Sequence, residues 1–317
     1  MSDFTALPDL ALRTLGGSVV AASDESFAER ENLISPGRPA FQPHTFGPKG
    51  QRYDGWETRR RREPGHDWAL VRLGLPGLIR GLVIDTAWFT GNYPPQASVE
   101  AAALDGHPTP AELQAAEWTQ ILAPSDLTGD AEHLFTVTDP RRHTHVRLNI
   151  FPDGGVARLR VHGEVRADLS VYDGLGLDLA ALANGALVTG CSNEFYSSPN
   201  NLIAPGLARH QAEGWETARR RGGGNDWVLI RLAGAGVVKL AEIDTTNLLF
   251  NAPSAVAISG TADGDTWFDI LPRTRLQPDT PHRFRIADAP VATHVRVDVY
   301  PDGGLARVRL HGVLAEG

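Results

Sequence analysis

Two short stretches concentrate the side chains able to do chemistry. The first is Gly55-Trp-Glu-Thr-Arg-Arg-Arg-Arg62, which runs on to Asp67-Trp68. The second is Gly214-Trp-Glu-Thr-Ala-Arg-Arg-Arg221, which runs on to Asp226-Trp227. Each sets a carboxylate, a hydroxyl and a run of guanidinium groups ahead of a second carboxylate. An arginine fork matches a carboxylate or a ureido oxygen with two parallel hydrogen bonds. A glutamate beside it can accept from amide N–H groups or move a proton. Glu57, Arg60, Glu216 and Arg219 are therefore the leading candidates. For Arg61, Arg62, Arg220 and Arg221 the competing reading is a solvated loop with surface ion pairs, each worth little.

More polar residues recur in the same order. Asp67 and Asp226 precede an apolar run and serve either as turn residues or as site carboxylates. Asp85-Thr86 and Asp244-Thr245 end apolar strands, where a buried carboxylate needs a partner. Asn92 and Asn251 follow, ahead of a proline, so a plain turn role competes with ligand binding. Asp24-Glu25 matches Asn193-Glu194. Pro-Asp-Gly-Gly at 152–155 and 301–304 reads as a β-turn.

These residues need a scaffold that presents them twice. Gly55–Gly74 matches Gly214–Ala233 at 13 of 20 positions, and Thr144–Gly163 matches Thr293–Gly312 at 13 of 20. A repeat this long is a duplicated domain rather than a solenoid. Domain one is expected at 9–166 and domain two at 177–315, joined across Val165–Gly176. The first copy holds insertions between Gly37 and Asp54 and between about Asp105 and Phe135. Runs such as 68–73, 82–84, 146–150 and 157–162 are short, branched and partly alternating, which predicts strands. In the last, Leu159 and Val161 face one way and Arg158, Arg160 and His162 the other. Short helices are expected at 10–15 and 112–118. Many short strands between Gly/Pro turns predict an all-β fold, a sandwich or jelly roll for each copy.

Composition narrows the partners. The 317 residues carry a net charge of -8 and 42% hydrophobic residues. Such a chain has no general pull toward nucleic acid or an anionic membrane surface. No apolar run is long enough to span a bilayer. The N-terminal stretch lacks the basic and apolar regions of a signal peptide. With Cys191 the single cysteine, the expectation is a cytoplasmic protein without intrachain disulfides. Cys191 aligns with Ala22 and reads as a small buried residue. His143 and His145 alternate on one predicted strand, but His143 aligns with Ala292, so core packing outweighs a histidine metal site. No phosphate loop or nucleophile elbow is present. A divalent cation held by carboxylates stays open.

Taken together, Asp54-Gly-Trp-Glu-Thr-Arg-Arg60, Asp67-Trp68, Ile84-Asp-Thr-Ala-Trp-Phe-Thr-Gly-Asn92, Thr144-His-Val-Arg147 and the aromatic-Pro-Asp-Gly-Gly-x-Ala-Arg segments at 151–158 and 300–307 resemble the allantoicase family over essentially the whole chain. The resemblance implies two galactose-binding-like jelly-roll domains, hydrolysis of allantoate to ureidoglycolate and urea, and a homo-oligomer. The residues suit that substrate, a carboxylate with two ureido groups on one carbon. Arg60 and Arg219 would grip the carboxylate. Glu57, Asp85, Glu216 and Asp244 would transfer protons or orient ureido groups. Glu25, Asp67, Thr86, Asn92, Glu194, Asp226 and Asn251 would contact the substrate. One departure stands out: Phe250 replaces Gly91, so the copies need not be equally competent. The alternative is a non-catalytic tandem sandwich binding a carbohydrate or another polar ligand, which has less reason to repeat so many charges.

Overall fold

A computed structural model describes residues 3–104 and 106–315. Asp105, the expected edge of the second insertion, and the first two residues of the N-terminal stretch lie outside them. The chain divides between Arg166 and Ala167 into two compact units.

Each unit is organised by one 19-residue strand, Asp67–Asp85 in the first and Asp226–Asp244 in the second. The sequence reads the first of these as two separate strands, because Gly74-Leu-Pro76 looks like a break. The chain instead stays extended and changes partners there. Its first half pairs with Ser18–Ala22 on one side and Arg142–Phe151 on the other. Through the latter it extends to Gln96–Ala102 and Thr119–Asp126. Its second half pairs with Arg158–Val165 and Glu132–Thr136. The register shifts between Arg72 and Gly77, where the strand passes from one sheet to the other. Gly74 is required at that crossing, since a Cβ would sit 2.4 Å from the Leu15 carbonyl oxygen. The result is a jelly-roll β-sandwich, and the second unit repeats it.

The core lies between the sheets. Leu70, Ile79, Leu82, Ile84, Val146, Leu148, Leu159 and Val161 are fully buried, as are Ile230, Ile243, Val295, Val297, Val308 and Leu310 in the second unit. Burying one such Leu or Ile side chain contributes about 1.5–3 kcal/mol. The predicted alternation at 158–162 holds for Leu159 and Val161, but Arg158 is buried too. Its guanidinium donates to the Asp54 carboxylate at 2.7 Å and to the Asp54 carbonyl at 3.0 Å.

The expected helix near 112–118 is the single turn-and-a-half Pro110–Ala115, started by a Thr109/Glu112 capping box. The one expected at 10–15 is only a 3₁₀ turn, Arg13–Leu15, stopped by Gly16 at φ 98°. Cys191 is half-buried rather than buried, and burial pushes its thiol up, away from the thiolate. His143 and His145 are packed in the sheet interior, where burial lowers both; His145, which also faces Arg72, is held down to about 4. Among the described residues no group of three or more His, Cys, Asp or Glu is arranged to hold a metal ion, and no helix is long and apolar enough to cross a membrane.

Candidate active site

The Pro-Asp-Gly-Gly turn is the hub of the site. Thr58 N–H donates to the Gly154 carbonyl at 3.1 Å, and the Gly154 N–H donates back to the Thr58 hydroxyl. The Asp153 carboxylate accepts the Arg61 N–H at 2.8 Å. The Pro152 carbonyl accepts the Asp67 N–H at 3.1 Å, and Gly155 N–H donates to the Asn92 carbonyl at 2.7 Å. One turn thereby fixes the Glu-Thr segment, the start of the long strand and the Asn92 loop together. Gly154, at φ 143°, leaves no room for a side chain, because a Cβ would meet Pro94 N at 2.6 Å. Sequence reading assigned this motif a turn; its recurrence beside the repeated Glu-Thr was the available sign of a larger task.

Glu57 sits in the two-residue strand Trp56–Glu57, paired with Gly155–Val156. Trp56 anchors it from below, fully buried, with its indole N–H on the Asp24 carbonyl at 2.8 Å. The Glu57 side chain is buried at 7% exposure. Its Oε1 accepts the Asn92 side-chain amide at 2.6 Å, while Oε2 is buried with no hydrogen-bond partner. Burial pushes its carboxyl up, against the pull of the Asn92 amide. A buried carboxyl oxygen lacking a partner is costly unless it carries a proton or meets a ligand donor.

The first unit also has a cleft of about 700 Å³ lined by Ser23, Asp24, Phe27, the run Arg59–Glu63 and Asp67, with neither Glu57 nor Asn92 in its lining. The arginines in it differ. Arg59 is held by Asp24, Nε to Oδ2 at 3.2 Å, and its own N–H lies on Oδ1 at 2.9 Å. Arg61 donates to buried Asp67 at 2.9 Å, so it is an internal strut and not a solvated surface charge. Arg60 is exposed, with no partner among the described residues.

The other predicted residues take structural posts. Asp67 accepts from Ser23 Oγ and Arg61. Thr86 is fully buried and spends its hydroxyl on the carbonyls of Thr128 and Ala131. Glu25 accepts from Arg30, side chain and backbone. Asp85, expected to work beside Glu57, caps its own loop through the Ala87 N–H at 2.8 Å, and no hydrogen bond joins it to Glu57 or Arg60 among the described residues. Burial, the first cause, and Glu132 push its carboxyl up, while the Ala87 N–H and Arg158 and Arg160 draw it down. Asp24, passed over in favour of its neighbour Glu25, is the residue that reaches the cleft arginines.

The second unit repeats the frame. Asp302 accepts the Arg220 N–H at 2.6 Å, Asp226 pairs with Ser192 and Arg220, Thr245 is fully buried on the carbonyls of Gln277 and Thr280, and Asp244 caps Thr246. Asn251 donates to Glu216 Oε1, and Gln211 donates to Glu216 Oε2. Glu194 and Arg219 are exposed.

Fold and site together define a tandem jelly-roll protein with a buried acid–amide pair and, in the same unit, an arginine-lined cleft. Residues 8–166 and 177–315 each match the allantoicase repeat. The chain is 57% identical to a probable allantoicase of Nocardia farcinica, covering 98% of this chain and 95% of that protein. It is 42% identical to an allantoicase of Dictyostelium discoideum, covering 94% and 84%. A crystal structure of allantoicase from Saccharomyces cerevisiae superposes with a TM-score of 0.83 at 33% identity, covering 96% of this chain and 93% of that one. The chain belongs to the allantoicase family.

Proposed function

We propose that this protein hydrolyses allantoate to ureidoglycolate and urea, and that the first unit's Glu57, Asn92 and Arg60 carry the reaction. The observation that carries the reading is Glu57 itself: a buried carboxyl, one oxygen oriented by an amide and the other without a partner. Family membership over the full chain supplies the substrate.

Arg60 grips the allantoate carboxylate with its planar fork. Asn92 fixes the rotamer of Glu57. Burial favours the protonated form of Glu57, which suits it to give its proton to the departing ureido nitrogen. The C–N bond to the central carbon breaks, and its electron pair leaves with urea. A water oxygen bonds to that carbon, and the proton it releases restores Glu57. Asp85, Thr86, Glu25 and Asp67 hold the loops and are positioning residues.

The same reading places the two repeats, 9–166 and 177–315, as separate folding units in a cytoplasmic homo-oligomer that acts on a small molecule and not on nucleic acid. Urea release from allantoate by the purified chain tests the activity: steady turnover is expected, and a rate equal to the spontaneous one would remove the assignment. Light scattering of the same preparation reads the oligomer.

A further inference from the structure

We infer that catalysis is confined to the first unit, and that the equivalent site of the second is held shut by Gln211. This rests on the allantoate reading above and specifies which copy performs it.

Three differences separate the two units. First, Glu57 keeps Oε2 without a partner, whereas Glu216 has both oxygens taken by amides of its own chain, Asn251 on Oε1 and Gln211 on Oε2. For Glu216 to hold a proton on Oε2 or meet a ureido N–H, the Gln211 bond must break. Gln211 stands three residues before Gly214, and the matching residue before Gly55 is Arg52. Arg52 is exposed, and its N–H serves Thr45 beside the small hairpin formed by Phe46–Gly47 and Gly50–Gln51. The latch therefore has no counterpart in the first unit.

Second, the arginine run is shorter. Arg59, held on Asp24, is replaced by Ala218, and Asp24 by Asn193. The backbone bond survives, Ala218 N–H to the Asn193 side-chain oxygen at 2.8 Å, so the loop keeps its shape while losing one guanidinium and its carboxylate. Of the remaining arginines, Arg220 is committed to Asp226. The lost pair is neutral overall, so the loop keeps its frame and loses the Asp24–Arg59 ion pair.

Third, the residue before the orienting asparagine changes from Gly91 to Phe250. A Cβ on Gly91 would meet nothing within 4 Å, so glycine is not needed there for packing. Phe250 is fully exposed. Each change alone alters a detail. Together they occupy both oxygens of the carboxylate, remove the Asp24–Arg59 ion pair and add an exposed ring before the asparagine.

The test compares matched substitutions by urea release from allantoate, with thermal melts as the folding control. Glu57→Gln is expected to lower kcat by about 100-fold or more, as loss of a positioned proton donor does. Glu216→Gln is expected to stay within about twofold of the parent. Losses of about half in each variant, equal large losses in both, or an undiminished Glu57→Gln would overturn the inference. Should Glu57→Gln fail to fold, Asn92→Ala and Asn251→Ala are expected to show the same asymmetry, and equal effects would overturn it. If the unmodified chain releases no urea, the allantoate reading fails. That outcome ends the inference together with the reading, whereas equal losses in a chain that does release urea end the inference alone.

Discussion

Frame and contents diverge between the two copies. The turn that organises each site is nearly superimposable in its bonds: Thr58 to Gly154 at 3.1 Å against Thr217 to Gly303 at 3.3 Å, and Asp67 to Pro152 and Asp226 to Pro301 both at 3.1 Å. The serine supports, Ser23 on Asp67 and Ser192 on Asp226, both measure 2.9 Å. Above that frame, Gln211, Ala218 and Phe250 replace Arg52, Arg59 and Gly91. Buried polar bonds are costly to lose in either copy, so both copies keep them. The side chains around a cleft affect only what it binds, and under the inference above those of the second unit are free to drift. Repetition of a residue in this chain therefore marks structural need first. Function has to be sought in what surrounds a repeated group, as with the free Oε2 of Glu57 against the bonded Oε2 of Glu216.

The arginines sharpen that contrast most after the glutamates. Arg60 and Arg219 occupy matching positions, both exposed. Arg60→Ala should lower kcat/KM by about 10- to 100-fold, mainly through KM, because it removes a charge-assisted grip on the substrate carboxylate. Arg219→Ala should leave the kinetics within about twofold. Steady-state kinetics on both variants check this. Equal losses would mean that both clefts bind substrate.

A smaller, symmetric effect is expected one layer down. Asp67→Ala and Asp226→Ala each strip two hydrogen bonds from a buried site and leave a half-exposed guanidinium unpaired. The loss should be about 1–3 kcal/mol in each unit, with the arginine's exposure keeping it below the cost of breaking a fully buried pair. Denaturant melts of the two variants should shift alike. A large shift in one unit alone would break the claim that the frames are equivalent.

How much of this the sequence displayed depended on the kind of signal. The duplication and the all-β architecture were legible, because branched residues alternate and the same motifs recur in order. The strand running through Gly74-Leu-Pro76 was not. A Gly and a Pro read locally as a stop, while the sandwich needs a place where one strand changes sheets. Of Glu57, Arg60 and Asn92, expected as one polar set, Glu57 and Asn92 touch. Asp67 and Thr86 looked equally functional, since residue type alone does not reveal that Arg61 folds back six positions or that carbonyls of a distant loop wait for the Thr86 hydroxyl. Arg158 seemed to face outward by alternation, but Asp54 draws it in. Gln211 was invisible for a different reason: a search for repeated residues passes over the one that blocks.

The smallest effect probes the burial of Glu57 directly through the pH dependence of stability. An unfolded glutamate ionises near pH 4.3. Burial raises the folded value above that. Below about pH 4 both states hold the proton and burial carries no ionic penalty. As pH rises, the unfolded chain releases its proton first, so the folded state loses relative stability until it too ionises; above that point the loss is constant. Glutamine never ionises. Glu57→Gln should therefore match the parent Tm near pH 4 and exceed it increasingly as pH rises through the folded pKa, by about 2–4 °C for each kcal/mol of relief. Glu216→Gln should behave otherwise. If one of its oxygens becomes an NH₂, the exposed Gln211 amide can turn over to accept from it while the other oxygen still accepts from Asn251, so its Tm should stay close to the parent's across the same range. A Tm difference for Glu57→Gln that stays flat from pH 4 to 8 would show that its carboxyl is not held in the protonated form, and the proton donor would have to be sought elsewhere.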